Sequence, residues 1–384
     1  MGNLLDYIDW RGDLTLRQSA FCDIDALVLS CLSYVDLKDI VPGIGEGEIT
    51  LRDAAELFFE KFSKEETEKD KRFTAYAPKM MGPLAESKRF GGAVLRNFTD
   101  RLDEDKHLQF AALEIEMDDG VSFLAFRGTD DTMVGWREDF DLSYTHVPAD
   151  DCAVEYVNQV CSGRSNNLRF GGHSKGGHLA MCAAGRCEPE IRDRLLKVYD
   201  MDGPGFNAAE FETLDLEDLE GKIVKVIPEE SIVGRLLECG KESYVVKSDE
   251  HGIMQHSPSS WLLKGTNFET TDATGKVSDL FKTSMDTWLS EMDDAGKEHF
   301  VNDLFSVFEA GNRKYLSELG QGTPQEKKAM LETLAGLDKE TGAKVKTLLK
   351  IFFFNWNDMV SGLAAGAEEA RKKLFAGQRK EKKE

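Results

Sequence analysis

Ser174 is set where a serine can act as a nucleophile. It lies in Gly172-His173-Ser174-Lys175-Gly176. A short apolar run, Leu168-Arg169-Phe170, precedes it, and a small-residue segment, Gly177-His178-Leu179-Ala180-Met181-Cys182-Ala183-Ala184, follows. That order predicts a strand, a tight turn and a helix. A glycine two residues to either side lets the backbone bend sharply and lets neighbouring elements approach. The bend lifts the hydroxyl to a helix N-terminus, where N–H groups and the helix dipole favour a developing oxyanion. The bland alternative is an ordinary strand-to-helix turn.

A serine alone is a poor nucleophile; it needs a base, and the base needs an orienting acid. Where such an elbow comes first, the base follows the last strand. His256 and His251 remain, because His299 lies inside a helical stripe. His256, in Gln255-His256-Ser257-Pro258 ahead of Trp261-Leu262-Leu263, is the choice, and His251 the alternative. Both also read as surface loop histidines. His173 and His178 flank the serine but point elsewhere on an elbow, so packing or solvent is their reading. For the acid, Asp202 follows one strand and precedes Gly203-Pro204-Gly205, a rigid turn. Glu229 and Glu230 follow the next strand. Asp202 is the choice and Glu230 the alternative acid, with an Asx turn as the plain reading of Asp202. The oxyanion needs two donors. The N–H of Lys175 is one, and Thr129, ending Phe126-Arg127-Gly128-Thr129, offers its N–H and hydroxyl as the other.

These residues need a frame. Phe21, Ile24, Leu27, Val28, Cys31 and Leu32 recur at helix spacing within residues 15–36. Thr50-Leu51-Arg52-Asp53 resembles a capping box opening a second helix, and residues 64–72 are a charge run read as a solvated helix end or loop. Leu108–Met117 and Val121–Phe126 make a hairpin about Asp119-Gly120. Further strands are expected at 168–172, 195–199, 223–227 and 244–246. Strands alternating with helices predict an α/β fold with a mainly parallel sheet, whose ligands sit beyond the carboxyl ends of the strands. Ser174, Asp202 and Glu230 all fall there. From about 277 onward the pattern is helical, with stripes such as Phe281, Met285, Leu289, Met292 and Phe300, Leu304, Phe305, Phe308, continued by Ala329–Leu334 and Val345–Leu363. These read as core-facing, or as a cap over an acyl cleft. Residues 371–384 are charge-rich. The expected organisation is a hydrolase-like domain over 1–270, with N-terminal helices at 15–65 and a catalytic core at about 105–265. A helical extension or cap follows over 271–384.

Phe126-Arg127-Gly128-Thr129 with Trp136 and Asp139, and Gly-His-Ser-x-Gly-Gly further on, resemble the class 3 (fungal-type) lipase family. The likeness is closer to its uncharacterised bacterial lipase-like relatives. There Asp202 to Phe206, Ser231 to Gly234 and Gln255 to Trp261 also have counterparts. The resemblance covers roughly residues 15–265. It implies an α/β-hydrolase fold, Ser174 as nucleophile, His256 as base, and Thr129 with Lys175 at the oxyanion. Two departures stand out. Class 3 lipases place an aspartate after the penultimate strand, where this chain has Ser231, so the acid moves to Asp202. Lys175 stands where an apolar residue is usual, and a cation at the cleft mouth argues against long-chain triglycerides.

Composition bounds the rest. A formal net charge of −22 over 384 residues argues against binding a phosphate backbone. Seven cysteines, scattered and without a Cys-x-x-Cys spacing, imply neither zinc nor a disulfide framework, and suggest a reducing compartment. No secretory signal is recognised, Asp6 spoils a myristoylation start at Gly2, and the run Leu348–Phe354 is too short to span a bilayer. The expectation is a cytoplasmic serine hydrolase of an ester or thioester, with no metal or organic cofactor. The substrate is a small-molecule or lipid-like ester. The rival is an interaction protein that keeps the fold with a weakened or lost site.

Overall fold

The strands carry apolar residues on both faces because helices cover both. The computed structural model describes residues 2–352, apart from 71–73, 131, 241, 316, 317 and 319–321. Among these, nine strands form one sheet in sequence order. They are β1 (Glu48–Thr50), β2 (Val94–Asp103), β3 (Leu108–Glu116), β4 (Ser122–Phe126), β5 (Leu168–His173), β6 (Leu195–Met201), β7 (Ile223–Pro228), β8 (Ser243–Val246) and β9 (Thr270–Thr271). Strands β4 to β8 run parallel. The β1–β4 side and the β9 edge are antiparallel, so the sheet is mixed, with its parallel part under the expected site.

Alternation along β4 sorts side chains between two layers. Phe123 and Ala125 join the cluster of the N-terminal helices α1 (Leu4–Arg11), α2 (Asp23–Leu32), α3 (Leu51–Lys61) and the later α5 (Tyr76–Glu86). Leu124 and Phe126 join the opposite cluster, built on α7 (Pro148–Cys161) and α8 (Lys175–Arg186). Each fully buried Phe or Leu contributes roughly 1.5–3 kcal/mol over an exposed one. The result is an α/β-hydrolase-like three-layer fold.

Residues 15–36 are not one helix. The helical part is Asp23–Leu32, and its start is held by Asp25, whose carboxylate accepts from Tyr7 (2.8 Å) and from Arg89 Nε and Nη2 (2.6 and 2.5 Å). That buried pair comes from residues 64 apart and leaves no local sequence signal. The charge run contains α4 (Lys64–Lys69), capped reciprocally by Ser63 and Glu66; Arg72 lies outside the described residues. One more helix, α6 (Met133–Asp141), leads from β4 towards α7. After β9 come helices Lys276–Ser290, Asp294–Glu309, Pro324–Gly336 and Lys339–Phe352. The expected helical residues beyond 352 and the charged tail 371–384 lie outside the described residues. The chain divides into two compact units, one ending at Val301 and the other starting at Asn302. No helix among the described residues is long and apolar enough to cross a membrane. All seven cysteines are free.

Candidate active site

Ser174 stands between β5 and α8 with φ 58° and ψ −138°. Non-glycine residues avoid that region, and holding one there costs on the order of 1–3 kcal/mol. The surroundings enforce it. A Cβ on Gly172 would lie 2.2 Å from the Gly176 carbonyl carbon, and one on Gly176 would lie 2.1 Å from the Phe126 carbonyl oxygen. Only glycines permit that closeness of β4, β5 and α8. Ser174 N–H donates to Met201 O at 2.9 Å, and Gly177 N–H donates to Ser174 O at 2.8 Å.

Lys175 opens α8, and its N–H belongs to the first helical turn, where intrahelical acceptors are lacking. Its ammonium does not stand at a cleft mouth. It is buried, donating to Glu138 Oε2 (2.6 Å) and Gln109 O (3.0 Å). The long alkyl chain carries the charge away from the elbow to a buried partner, so the expected objection to apolar substrates falls.

Asp202 follows β6 and is fully buried with φ 56°, a conformation aspartate tolerates better than most residues. Its Oδ2 lies 2.6 Å from His256 Nδ1. Its Oδ1 accepts from the Ser231 hydroxyl (2.5 Å) and from Gly234 N–H (3.2 Å). Ser231, at the position where the class 3 resemblance leads one to expect an aspartate, donates to the carboxylate that arrives from the adjacent strand. Beneath the turn, Lys225 Nζ donates to Asp200 Oδ2 (2.5 Å) and Gly203 O (2.7 Å), while Asp200 Oδ1 accepts from Gly203 N–H (2.8 Å). Burial raises the Asp200 carboxyl above its usual range, with Lys225 opposing. That buried pair pins the residues just after Asp202.

His256 ends a short 3₁₀ turn, Gly252–His256. Its position is fixed from below by His173, whose ring lies 4.5 Å from it, centroid to centroid. His173 Nε2 donates to the His256 carbonyl at 2.7 Å, and its Nδ1 is 3.1 Å from the Tyr34 hydroxyl. Burial, then the neighbouring His256, push the His173 imidazole well below its ordinary pKa, so it stays neutral. Trp261 Nε1 donates to Gln255 O at 2.8 Å and closes the loop. His251 is exposed at the start of this turn. Glu230 is engaged with the same turn's backbone, its Oε2 accepting from Gly252 N–H at 2.5 Å.

A family profile described as Mbeg1-like matches residues 84–306. The chain belongs to the Mbeg1-like family. Among solved structures it is similar to one titled crystal structure of M37 lipase, at 15% identity and a TM-score of 0.36, covering 56% of this chain and 70% of that one. Comparison with curated proteins gave no match. The Mbeg1-like segment includes every residue placed above around Ser174, Asp202 and His256 except the Tyr34 hydroxyl.

Three more residues of the Mbeg1-like segment bear on the site. Arg127 grips Asp100 with both Nη atoms (3.1 and 2.8 Å), fixing the end of β4 beside Gly128 and Thr129. Thr129 Oγ1 donates to Asp139 Oδ2 at 2.6 Å. One hydroxyl has one proton, so in this arrangement only the N–H of Thr129 is available to an oxyanion. Asp139 is half-buried, and its Oδ1, shut off from solvent, has no hydrogen-bond partner among the described residues. Burial raises its carboxyl from an ordinary 3.8 to about 6, against the opposing pull of Lys175. The sign follows from linkage. Between pH 3.8 and about 6 the folded protein holds a proton the unfolded chain has lost, so stability falls as pH rises through that window. Asp139→Asn is therefore expected to be more stable than the wild type at pH 7.5, by on the order of 1–3 kcal/mol. The gap should shrink near pH 4. Thermal unfolding of both proteins at the two pH values checks it, and an equal gap at both would overturn it.

The expectation that Asp202 rather than Glu230 orients His256 can be tested directly. An asparagine at 202 presents an N–H₂ or a carbonyl to Nδ1 and can impose the wrong tautomer. Asp202→Asn is expected to lower ester turnover by roughly 10²-fold or more, and Glu230→Gln by less than about tenfold. Steady-state kinetics on an activated ester decide it, and the reversed order would reassign the acid.

Proposed function

We propose that this chain is a serine hydrolase cleaving a carboxylic ester or thioester, lipase- or esterase-like in mechanism. The observation that carries the reading is the 2.6 Å contact of Asp202 Oδ2 with His256 Nδ1, in a fold where Ser174 occupies a strained strand-to-helix elbow. In this reading Ser174 Oγ attacks the carbonyl carbon. His256 Nε2 takes the hydroxyl proton, Nδ1–H being donated to Asp202. The N–H groups of Thr129 and Lys175 hold the oxyanion, each such donor worth on the order of 3 kcal/mol of barrier. Collapse expels the alcohol or thiol, which receives the proton from His256. Water then attacks the acyl-serine by the same route and releases the acid.

The likeness to class 3 lipases and their bacterial relatives supports this assignment. The helices Lys276–Ser290, Asp294–Glu309, Pro324–Gly336 and Lys339–Phe352 are proposed as an extension, cap or partner surface. Free thiols and an acidic surface fit a cytoplasmic location, also a proposal. The test is covalent labelling of the full chain by a fluorophosphonate, followed by mass mapping. Modification at Ser174 supports the enzyme. Absence of labelling, with the protein folded, favours an interaction protein on a hydrolase scaffold.

A further inference from the structure

We infer that His146, Asp150 and Glu210 form a binding site for one divalent transition-metal ion, zinc fitting best. The three side chains come from the loop after α6, the first turn of α7, and the short helix Ala208–Phe211. Each offers one ligand atom, and these atoms lie within 4.8 Å of one another. His146 Nδ1 is 3.1 Å from Glu210 Oε2 and 3.9 Å from Asp150 Oδ2. Two atoms that each lie about 2 Å from a shared ion are about 3–4 Å apart, so the spacing already suits coordination.

Asp150 points to a ligand independently of the cluster. It is 1% exposed, and its Oδ2 has no hydrogen-bond partner among the described residues. That oxygen is the one turned towards His146. A buried carboxylate oxygen left without a donor is costly, and a bound cation removes the deficit. Its other oxygen is held by His178 Nε2 at 3.0 Å, and His178 Nδ1 donates to Gly205 O at 2.9 Å.

The outer contacts orient the other ligands. His146 Nε2 lies 3.0 Å from Asp151 Oδ1, which leaves Nδ1 as the nitrogen for the metal, the carboxylate–histidine–metal pattern. Arg186 Nη2 grips Oε2 of Glu210, which leaves Oε1 and the second lone pair of Oε2 for the ion. Three carboxylates, Asp150, Asp151 and Glu210, meet around the site against one permanently charged cation, Arg186. An imidazole nitrogen among the donors selects zinc over magnesium or calcium. Three protein ligands leave a fourth position for water. The absence of Cys-x-x-Cys spacing does not bear on a site assembled from residues 146, 150 and 210. The ion would tie the loop before α7 to the segment that follows Asp202. The inference does not depend on the hydrolase reading.

Calorimetric titration of the EDTA-treated full chain with Zn²⁺ tests it. One equivalent is expected to bind, with a rise in the thermal transition of a few degrees under excess metal. His146→Ala, at a partly exposed loop position, should weaken binding by on the order of 10²-fold and abolish the thermal shift. Glu210→Gln should weaken it at least about tenfold, and His256→Ala should leave it unchanged. Wild-type affinity no tighter than about 0.1 mM overturns the site. So does full affinity in His146→Ala, or loss of binding in His256→Ala.

Discussion

Ser174→Ala is expected to abolish ester turnover and fluorophosphonate labelling while leaving the thermal transition almost where it was. The hydroxyl is the only group removed. The Cβ that makes φ 58° unfavourable remains, so the strain of the elbow is the same in both proteins. Ser174→Gly separates chemistry from strain. It should be equally inactive yet more stable, by roughly 1 kcal/mol, because glycine adopts this conformation without the Cβ penalty. Residual activity of the oxyanion donors alone is far below that of an intact site. Most of the wild-type activity persisting in Ser174→Ala would remove the serine from the mechanism.

His256→Ala is expected to lower turnover by several orders of magnitude, as loss of a base that acts in concert with its nucleophile does. His251→Ala should change it little. The two histidines are five residues apart in one loop, and the contrast comes from their surroundings. His256 is buried, packed at a tilt against neutral His173 and bonded to Asp202, whereas His251 is exposed. Because a buried base can be lost with its loop, the thermal transition of His256→Ala should be measured beside its kinetics. His256→Gln, which keeps a hydrogen-bonding side chain towards Asp202, should be as inactive but closer to wild type in stability. The pattern reversed, with His251 essential, would move the base.

The elbow was legible in the sequence because its physics is local. Strand, glycine, serine, glycine and helix lie within about twenty residues, and backbone sterics alone dictate the bend. The hairpin and parallel strands were legible for the same reason, since short apolar runs and the Asp119-Gly120 turn are short-range signals. β2 gave no such reading, because its solvent-facing residues Thr99 to Asp103 interrupt the apolar pattern and its partner β3 supplies the register. The acid was open between Asp202 and Glu230, since both end adjacent strands. Only the tertiary structure turns one carboxylate to Nδ1 of His256 and the other to the backbone of Gly252. The reading of Lys175 failed because a sequence locates a charge on the chain but not the end of a long flexible side chain. The His146, Asp150 and Glu210 cluster was invisible for a related reason. Its members are unremarkable on their own segments, and only the packing of α7 and α8 against the chain that follows β6 brings residues 60 apart to one point.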